Sequence, residues 1–346
     1  MKDKPNIRDL NVEQLHEKLV ELGHPKYRAK QVYEWLWKKN VHTFNDMLNL
    51  PKDLISTLDE QYLIPSLRTS RIQESSDGTI KSGFELHDGM VVEGVLIPQG
   101  KRMTACISTQ VGCSLSCKFC ATGQMKQMRN LKADEIYDQV REIDNQARKH
   151  HSMHLSNVVY MGMGEPLLNY KEMLRSTEML ISNDGMGMSP KRITISTAGI
   201  AKMIKRLGDD NVKFNLALSL HAANDSKRNK IMPINEQNNL NVLSEALRYF
   251  QDKTSSRITF EYIVFKNFND SLNDAKDLAE FAKAVACKIN IIEYNPINGG
   301  QYQNASRDKI AAFDAYLKEK NLIVNLRRSR GKDIDGACGQ LANKVK

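Results

Sequence analysis

Six strand-like segments alternate with helix-like segments between residues 103 and 330, and this alternation most strongly limits the fold of the chain. The strand-like segments are MTACIST, LSNVVYMGM, RITIST, FNLALSLHA, ITFEYIVF and KINIIEYNP. Because strands that alternate with helices form a parallel sheet with helices outside, the sequence predicts an α/β fold. Six units rather than eight predict a partial (βα)6 barrel of the TIM type, open on one side, to which LIVNLRRSRG adds a candidate last strand.

Two smaller regions precede the barrel. The N-terminal residues form helical patterns such as NVEQLHEKLVELG, with Asn11 as the candidate N-cap and Gly23 as the stop. These helices predict a small accessory domain that either binds the substrate or packs as a cap on the barrel. Asp88-Gly89 between alternating apolar residues predicts a β-hairpin. The predicted domains are a helical domain at 1–75, a hairpin linker at 76–102, the barrel at 103–330 and a C-terminal tail at 331–346.

The positive charge of the chain is concentrated in two regions. Residues 101–150 carry nine Lys and Arg against five Asp and Glu, and residues 301–346 carry ten against five, which together equal the net charge of +9. This asymmetry fits a polyanion such as RNA, although solvated faces of barrel helices explain the charge about as well. No apolar run is long enough to cross a bilayer, and the N-terminus lacks the apolar core of a signal peptide. We therefore expect a soluble, cytoplasmic protein without membrane contact.

Three of the six cysteines are crowded into the segment GCSLSCKFCATG. Cys113, Cys117 and Cys120 have the spacing Cys-x3-Cys-x2-Cys and follow the first barrel strand. Three thiolates can hold three irons of a [4Fe–4S] cluster and leave the fourth iron open to another ligand. A structural zinc site needs a fourth Cys or His at short spacing, and the next histidine, His150, lies far along a helix. The loop therefore predicts an iron–sulfur cluster, with zinc as the alternative.

This spacing, with Phe119 before the last cysteine, resembles the signature of the radical S-adenosylmethionine (SAM) superfamily. The resemblance implies a radical SAM barrel in which SAM binds the open iron and is cleaved to a 5′-deoxyadenosyl radical. GMGEP, one βα unit later, is similar to the Gly-Gly-Glu motif of that superfamily, and implies that Glu165 binds the ammonium group of SAM. The residues that we expect to form the SAM pocket are Gly164, Glu165, Ser196, Ser219, Leu220, His221 and Asn295.

The complete set of motifs is more specific. CISTQVGCSLSCKFCATG, MGMGEPLLN, ITISTAGI, SLHAAND, CKINIIEYNP and RSRGKDIDGACGQL together resemble the RlmN/Cfr family of RNA methyltransferases. Pro166 and Ala222 favour the RlmN branch, which methylates C2 of adenine, over the Cfr branch, which methylates C8. The resemblance implies 23S ribosomal RNA as substrate, and transfer RNA at the adenosine after the anticodon. It also implies an electron donor such as flavodoxin or ferredoxin, and a monomer.

Three catalytic roles follow from the resemblance alone. Cys338 is expected to carry a methyl group as S-methylcysteine, Cys106 to resolve the protein–RNA adduct through a transient disulfide with Cys338, and Glu93 to accept a proton. Without the resemblance, Cys106 is typical of a small buried residue and Glu93 of a solvent-facing one. Cys338 lies between glycines beside RRSRGK, where positive charge favours a thiolate, whereas Cys287 has no such setting and is predicted to be structural. The candidate phosphate contacts are Arg327, Arg328, Arg330 and Lys332.

Two other functions fit the sequence less well. A radical SAM enzyme of another class, such as a methylthiotransferase, needs further cluster cysteines in an N-terminal domain, and residues 1–105 contain none. A metal-stabilised RNA-binding module without catalysis has no use for Cys338, GMGEP or Glu93. An RNA methyltransferase accounts for all of these features.

Overall fold

A computed structural model of the chain describes residues 4–343. The strands in chain order are β1 Arg68–Glu74, β2 Ile80–Glu85, β3 Val91–Gln99, β4 Arg102–Cys106, β5 Gln110–Val111, β6 Arg129–Asn130, β7 Asn157–Tyr160, β8 Ile193–Thr197, β9 Asn215–Ser219, β10 Ile258–Ile263, β11 Cys287–Ile292 and β12 Val324–Arg327. The α-helices are α1 Val12–Glu21, α2 Tyr27–Trp37, α3 Lys52–Gln61, α4 Ala133–His151, α5 Tyr170–Ile181, α6 Ala201–Asp209, α7 Asp225–Ile231, α8 Leu240–Thr254, α9 Leu272–Ala282 and α10 Arg307–Glu319.

Ten of these strands form one sheet in the order β1-β2-β3-β4-β7-β8-β9-β10-β11-β12. The seven strands from β4 to β12 are parallel, and β1 to β4 are antiparallel. Because β4 and β12 do not pair with each other, the barrel is open. The predicted α/β partial barrel is confirmed, and the candidate last strand LIVNLRRSRG contains β12 at one edge of the sheet.

The predicted hairpin is present and continues into the barrel. β2 pairs with β3 around a turn in which Met90 N–H donates to Asp88 Oδ1 at 3.1 Å and Gly89 has φ +79°. A conformation with positive φ favours glycine, as the Asp-Gly signal requires. β3 in turn pairs with β4, the first parallel strand, so the hairpin belongs to the main sheet rather than to a separate layer.

Strand β1, Arg68–Glu74, lies within the segment for which the sequence analysis predicted helices only. Its sequence, RTSRIQE, is polar, and most of its residues are exposed. A strand with neither face buried lacks the alternation of apolar and polar residues that identifies strands in a sequence. The strand pairs antiparallel with β2, and its backbone pairing therefore depends on a neighbour that the local pattern does not reveal.

The helical N-terminal domain packs against the barrel through buried polar contacts. α1 begins at the predicted cap, because Asn11 accepts from Gln14 N–H and Gln14 accepts from Asn11 N–H. Arg8, which is almost inaccessible, donates to both carboxylate oxygens of Asp138 on α4 at 2.8 Å. Asn6 also donates to Asp134 on the same helix at 2.8 Å. The domain is therefore fixed to the outer helix α4 rather than attached by a flexible connection.

The carboxyl ends of the parallel strands lead directly into the polar motifs. The cysteine loop follows β4, GMGEP follows β7, STAG overlaps the end of β8, SLHA the end of β9 and YNP follows β11. Active sites of αβ barrels are built at this end of the sheet, from loops that follow several different strands. No helix within residues 4–343 is long and apolar enough to cross a bilayer.

Candidate active site

A cavity of about 940 Å³ opens at the carboxyl ends of the parallel strands. Nine of the thirteen residues expected to act at the site line it: Cys113, Cys117, Cys120, Gly164, Glu165, Ser196, Ser219, His221 and Cys338. The structure thus brings the cysteine loop, the motifs predicted to bind SAM and the C-terminal thiol to one place.

The conformation of the cysteine loop is fixed by contacts that need glycine. Gly112 has φ +79°, and a side chain there would overlap the backbone of Lys126. Gly123 similarly packs on the backbone of Cys117. Ala121 N–H donates to Gly339 O at 2.7 Å, which joins the loop to the C-terminal tail. The loop is therefore held at both ends and also from the tail side.

The three loop cysteines fit an iron–sulfur cluster. All three are partly exposed and have no disulfide partner. Burial raises the pKa of each thiol, that of Cys113 to about 11, so the unligated side chains are protonated and ligation releases their protons. Within residues 4–343 no three His, Cys, Asp or Glu side chains surround one point as the ligands of a single ion do. All three cysteines line the same cavity, and three thiolates can hold three irons of a [4Fe–4S] cluster.

Glu165 is buried in the wall of the cavity with both carboxylate oxygens bonded. Oε1 accepts from Leu167 N–H at 3.0 Å, and Oε2 accepts from Ala198 N–H at 2.7 Å. Burial nevertheless raises the pKa of the carboxyl to about 7. Gly164, with φ +95°, leaves no room for a side chain beside Gln110. A cationic ligand in the cavity would hold Glu165 in its ionised form, as the ammonium group of SAM requires.

His221 is a neutral imidazole in this setting. Burial lowers its pKa to about 3, and the charge of Arg228 acts in the same direction. Its Nδ1 accepts a hydrogen bond from Ile263 N–H at 3.2 Å, which leaves the ring proton on Nε2. The edge-to-face contact with Phe119, with ring centroids 4.7 Å apart, further fixes the ring. His221 therefore offers the cavity one hydrogen-bond donor without a charge.

The remaining predicted SAM residues occupy different positions. Ser196 Oγ and Ser219 Oγ lie 3.4 Å apart in the cavity wall. Leu220 is buried behind the wall, where its N–H donates to Glu261 O at 3.0 Å and its carbonyl accepts from Arg228. Asn295 is also outside the lining: its Nδ2 donates to Cys338 O at 3.1 Å, and its buried Oδ1 has no partner. The structure thus places Asn295 against the tail, with one acceptor still available.

Arg228 is a site residue that the sequence analysis missed. It is fully buried, and its guanidinium donates only to neutral acceptors: the carbonyls of Leu220 at 3.1 Å, Ala198 at 2.6 Å and Ser219 at 3.2 Å, and Asn235 Oδ1 at 2.7 Å. It therefore ties together the loops that follow β8 and β9. The polar sequence of α7, DSKRNKI, contains nothing that separates this arginine from an exposed one.

Cys338 and Cys106 both line a second cavity, of about 710 Å³, beside the first. Cys106 is buried, and burial raises the pKa of its thiol. Solvent reaches Cys338 through the cavities although protein surrounds it; burial also raises the pKa of this thiol, and the nearby Arg327 opposes the shift. Arg327 forms an ion pair with Glu261 at 3.5 Å. Positive charge thus lowers the pKa of the Cys338 thiol, as expected, but burial raises this pKa by more.

Glu93 is separated from both cavities. It is fully buried on β3, where Oε2 accepts from Ala342 N–H at 2.8 Å and from Asn343 N–H at 3.2 Å. Lys81 Nζ lies 3.5 Å from Oε1. The C-terminal tail therefore covers the side chain that was expected to accept a proton.

The predicted phosphate contacts surround the second cavity. Arg327, Arg328 and Arg330 line it, and all three are exposed. Lys332 instead forms an ion pair with Glu293, with Nζ 2.6 Å from Oε2. Three of the four side chains are thus placed around the entrance to the two thiols.

Comparison with known proteins agrees with this geometry. Residues 107–282 match the model of the radical SAM superfamily, and residues 5–64 match that of the ribosomal RNA large subunit methyltransferase N-terminal domain. A relative from Cytophaga hutchinsonii, described as a probable dual-specificity RNA methyltransferase RlmN, is 58% identical over 99% of this chain and 93% of its own. A dual-specificity RNA methyltransferase RlmN from Campylobacter hominis is 40% identical over 98% of this chain and 97% of its own.

A solved structure extends the comparison to the whole fold. The crystal structure of a radical SAM methyltransferase from Sphaerobacter thermophilus matches with a TM-score of 0.91 and 37% identity, over 97% of this chain and 99% of that one. The sequence relatives cover both the barrel and the N-terminal helices at identities far above those of unrelated proteins. The chain therefore belongs to the RlmN family of radical SAM RNA methyltransferases.

Proposed function

We propose that this enzyme methylates C2 of an adenosine in 23S ribosomal RNA and, as a dual-specificity member, of the adenosine that follows the anticodon in transfer RNA. The observation that carries the proposal is that the loop of Cys113, Cys117 and Cys120 and the thiol of Cys338 share one cavity, with Cys106 in the adjoining one. A SAM enzyme that transferred a methyl group directly would need no second set of thiols. The relatives are described as dual-specificity RNA methyltransferases, in agreement with two RNA substrates.

As a radical SAM enzyme the protein uses a [4Fe–4S] cluster and SAM. The thiolates of Cys113, Cys117 and Cys120 would hold the cluster. Glu165 and His221 would contact SAM, with Ser196 and Ser219 beside them and Arg228 supporting their loops. When bound, these groups supply one-electron cleavage of a sulfonium, which generates a radical able to abstract hydrogen.

Cys338 acts as the methyl carrier because C2 of adenine is electron-poor and offers no nucleophile for a methyl cation. Its sulfur loses a proton and forms a bond to the methyl carbon of SAM, and the sulfonium electron pair stays with the departing thioether. After hydrogen abstraction, the same carbon becomes joined to C2, so that RNA is tethered to Cys338 through a methylene group. Burial raises the pKa of this thiol, and the nearby Arg327 opposes the rise, which acts toward the thiolate that this role needs.

Glu93 and Cys106 release the product. The adduct formed when the carbon joins C2 carries an unpaired electron; it gives up one electron, for which the cluster would be the acceptor, and Glu93 accepts the C2 proton, whose C–H electron pair stays in the purine ring. The sulfur of Cys106 then attacks the sulfur of Cys338: the S–S bond forms, the S–C bond breaks, and its electron pair passes to the methylene carbon, which gains a proton and becomes the methyl group. A thiol reductant restores the two thiols for the next cycle.

The RNA partner would bind at the second cavity. Arg327, Arg328 and Arg330 surround its entrance and would contact phosphates beside the target nucleotide. The target base must leave its stack to reach Cys338, at a cost of a few kcal/mol. The remaining parts of the proposal are a flavodoxin or ferredoxin as electron donor, a monomer, and a cytoplasmic location.

The proposal is tested by mass spectrometry of nucleosides after incubation of the protein with RNA, SAM and a reductant. RNA carrying deuterium at either C2 or C8 of the target adenosine separates the RlmN and Cfr reactions. We expect the C2 label to be lost and the C8 label to remain. Loss from C8 with retention at C2 would assign the enzyme to C8 methylation, and the absence of methylated adenosine would contradict the proposed function altogether.

A further inference from the structure

Lys81 and Glu93 form an ion pair inside the protein. Lys81 Nζ lies 3.5 Å from Glu93 Oε1, and their side chains are only 4% and 0% exposed. In the antiparallel register of β2 and β3, Lys81 pairs with Val95 and Gly83 pairs with Glu93, so the two side chains are diagonal neighbours on one face. Burying two charges is costly, and apolar residues of similar size are often equally stable. Packing alone therefore does not explain the pair.

The two oxygens of Glu93 have different surroundings. Oε2 accepts from the backbone N–H groups of Ala342 and Asn343, whereas Oε1 accepts no hydrogen bond and faces Lys81. The two amides belong to the tail and follow Cys338 by only four and five residues. A movement of the tail that carries Cys338 therefore withdraws the donors at Oε2. Lys81 stays, because it belongs to a neighbouring strand of the same sheet.

Lys81 is the cation in contact with the carboxylate. The other groups packed around Glu93 are neutral: Met163 Sδ accepts from its N–H, and the Ser108 hydroxyl donates to its carbonyl. On the same face of β4, Cys106 lies opposite Val95, and Arg102 lies opposite Gln99 at the far end of the strand, where it is exposed. Arg71 on β1, opposite Gly83, is exposed and two strands away from Glu93. Asp333 and Asp335 belong to the same tail but precede the residues that contact Glu93, Ala342 and Asn343.

We propose that Lys81 is a positioning residue that keeps Glu93 ionised for proton transfer, a role that rests on the proposed function. In this step the C2–H bond of the protein–RNA adduct breaks, an O–H bond forms at Glu93 Oε2, and the bonding electron pair stays in the purine ring. A buried carboxylate that has lost its hydrogen-bond donors favours the protonated form, which accepts no further proton. The ammonium group of Lys81, beside Oε1, favours the ionised form of Glu93 when the tail amides leave Oε2.

The role is tested in single-turnover reactions of the holoenzyme with a transcribed 23S ribosomal RNA fragment. Lys81→Met removes the charge, and Lys81→Arg restores it. Lys309→Met is a matched control, because Lys309 Nζ forms an ion pair at 2.8 Å with the buried carboxylate of Asp270 away from the site. The amount of S-methyl Cys338 is measured by mass spectrometry, and the decay of the protein–RNA adduct is followed on denaturing gels from pH 6 to 9.

We expect Lys81→Met to form S-methyl Cys338 and the adduct normally, but to resolve the adduct at least about tenfold more slowly at pH 7. The acid limb of its pH profile for adduct decay should move toward higher pH, because the variant lacks the positive charge beside Oε1. Lys81→Arg should recover most of the rate, and Lys309→Met should behave as the wild type. A role in folding alone would not move the pH profile.

Adduct decay in Lys81→Met at the wild-type rate and pH profile would overturn the role. If Lys81→Met does not fold, Lys81→Gln, which keeps a hydrogen-bond donor without the charge, is measured in the same way and judged by the same criterion. Absence of S-methyl Cys338 from the wild type would refute the proposed function itself. Normal S-methylation and adduct formation with unchanged decay in the variants would refute only the role of Lys81.

Discussion

Glu165 gives the clearest quantitative prediction, because its burial in the cavity wall raises its pKa and so couples its protonation to stability. Its pKa is about 7 in the folded protein, against about 4.3 in an unfolded chain. A carboxyl whose pKa is raised on folding stabilises the protein fully below the unfolded value, and this contribution is lost as the pH rises through the folded value. Between pH 5 and pH 8 the loss amounts to about 2–3 kcal/mol of unfolding free energy.

The measurement is urea unfolding of the protein without cluster or SAM, at pH 5 and pH 8. Glu165→Gln cannot titrate, so its stability should fall by about 2–3 kcal/mol less than that of the wild type between these two pH values. The hydrogen bonds that Gln makes do not depend on pH, so they lower the stability of the variant by the same amount at both pH values and do not affect the change between them. Glu17→Gln, at an exposed position of α1, controls for the removal of one acidic group. Equal pH dependence in wild type and Glu165→Gln would refute the reasoning.

Two further predictions concern the cysteines. Changing Cys113, Cys117 or Cys120 to Ala should abolish both the broad visible absorption of a reconstituted [4Fe–4S] cluster and SAM cleavage, because each thiolate holds one iron. Iron analysis and absorption spectra measure this. Stoichiometric zinc without iron in the reconstituted wild type would contradict the prediction. Cys338→Ala should keep the cluster but transfer no methyl group, whereas Cys106→Ala should accumulate protein covalently joined to RNA. Denaturing gels distinguish the two variants, because only the second forms the protein–RNA adduct. Normal turnover by Cys106→Ala without adduct would contradict the role assigned to Cys106.

The sequence predicted the features that local patterns encode. The βα alternation gave the open barrel and the position of its motifs, Asn11 gave the start of α1, and Asp88-Gly89 gave the turn between β2 and β3. In each case a few neighbouring residues determine the backbone through capping, turn conformation or periodicity. The three cysteines likewise share one loop, so their convergence on one cavity needs no knowledge of the rest of the fold.

Features that depend on distant parts of the chain were not predicted. Arg228 and Lys81 are polar residues in polar or mixed segments, and only the folded chain reveals that both are buried. Lys81 meets its partner on the neighbouring strand, and Arg228 meets the carbonyls of loops up to 30 residues away. Their significance comes from the acceptors that surround them, and a sequence pattern carries no information about such acceptors. The roles of Glu93, Cys106 and Asn295 stay predictions that rest on family resemblance.

The tail links two steps of the proposed reaction in a way that imposes an order on them. Cys338 and the amides that cover Glu93 lie within six consecutive residues, and Thr122 Oγ1 holds the same segment by donating to Leu341 O at 2.6 Å. While the tail occupies this position, Cys338 lines the same cavity as Cys113, Cys117 and Cys120, and Oε2 of Glu93 accepts from two tail amides. Methylation of Cys338 is therefore compatible with this arrangement, and proton transfer to Oε2 is not. We expect proton transfer to follow a displacement of residues 341–343, so that Glu93 becomes a base only after the RNA is tethered.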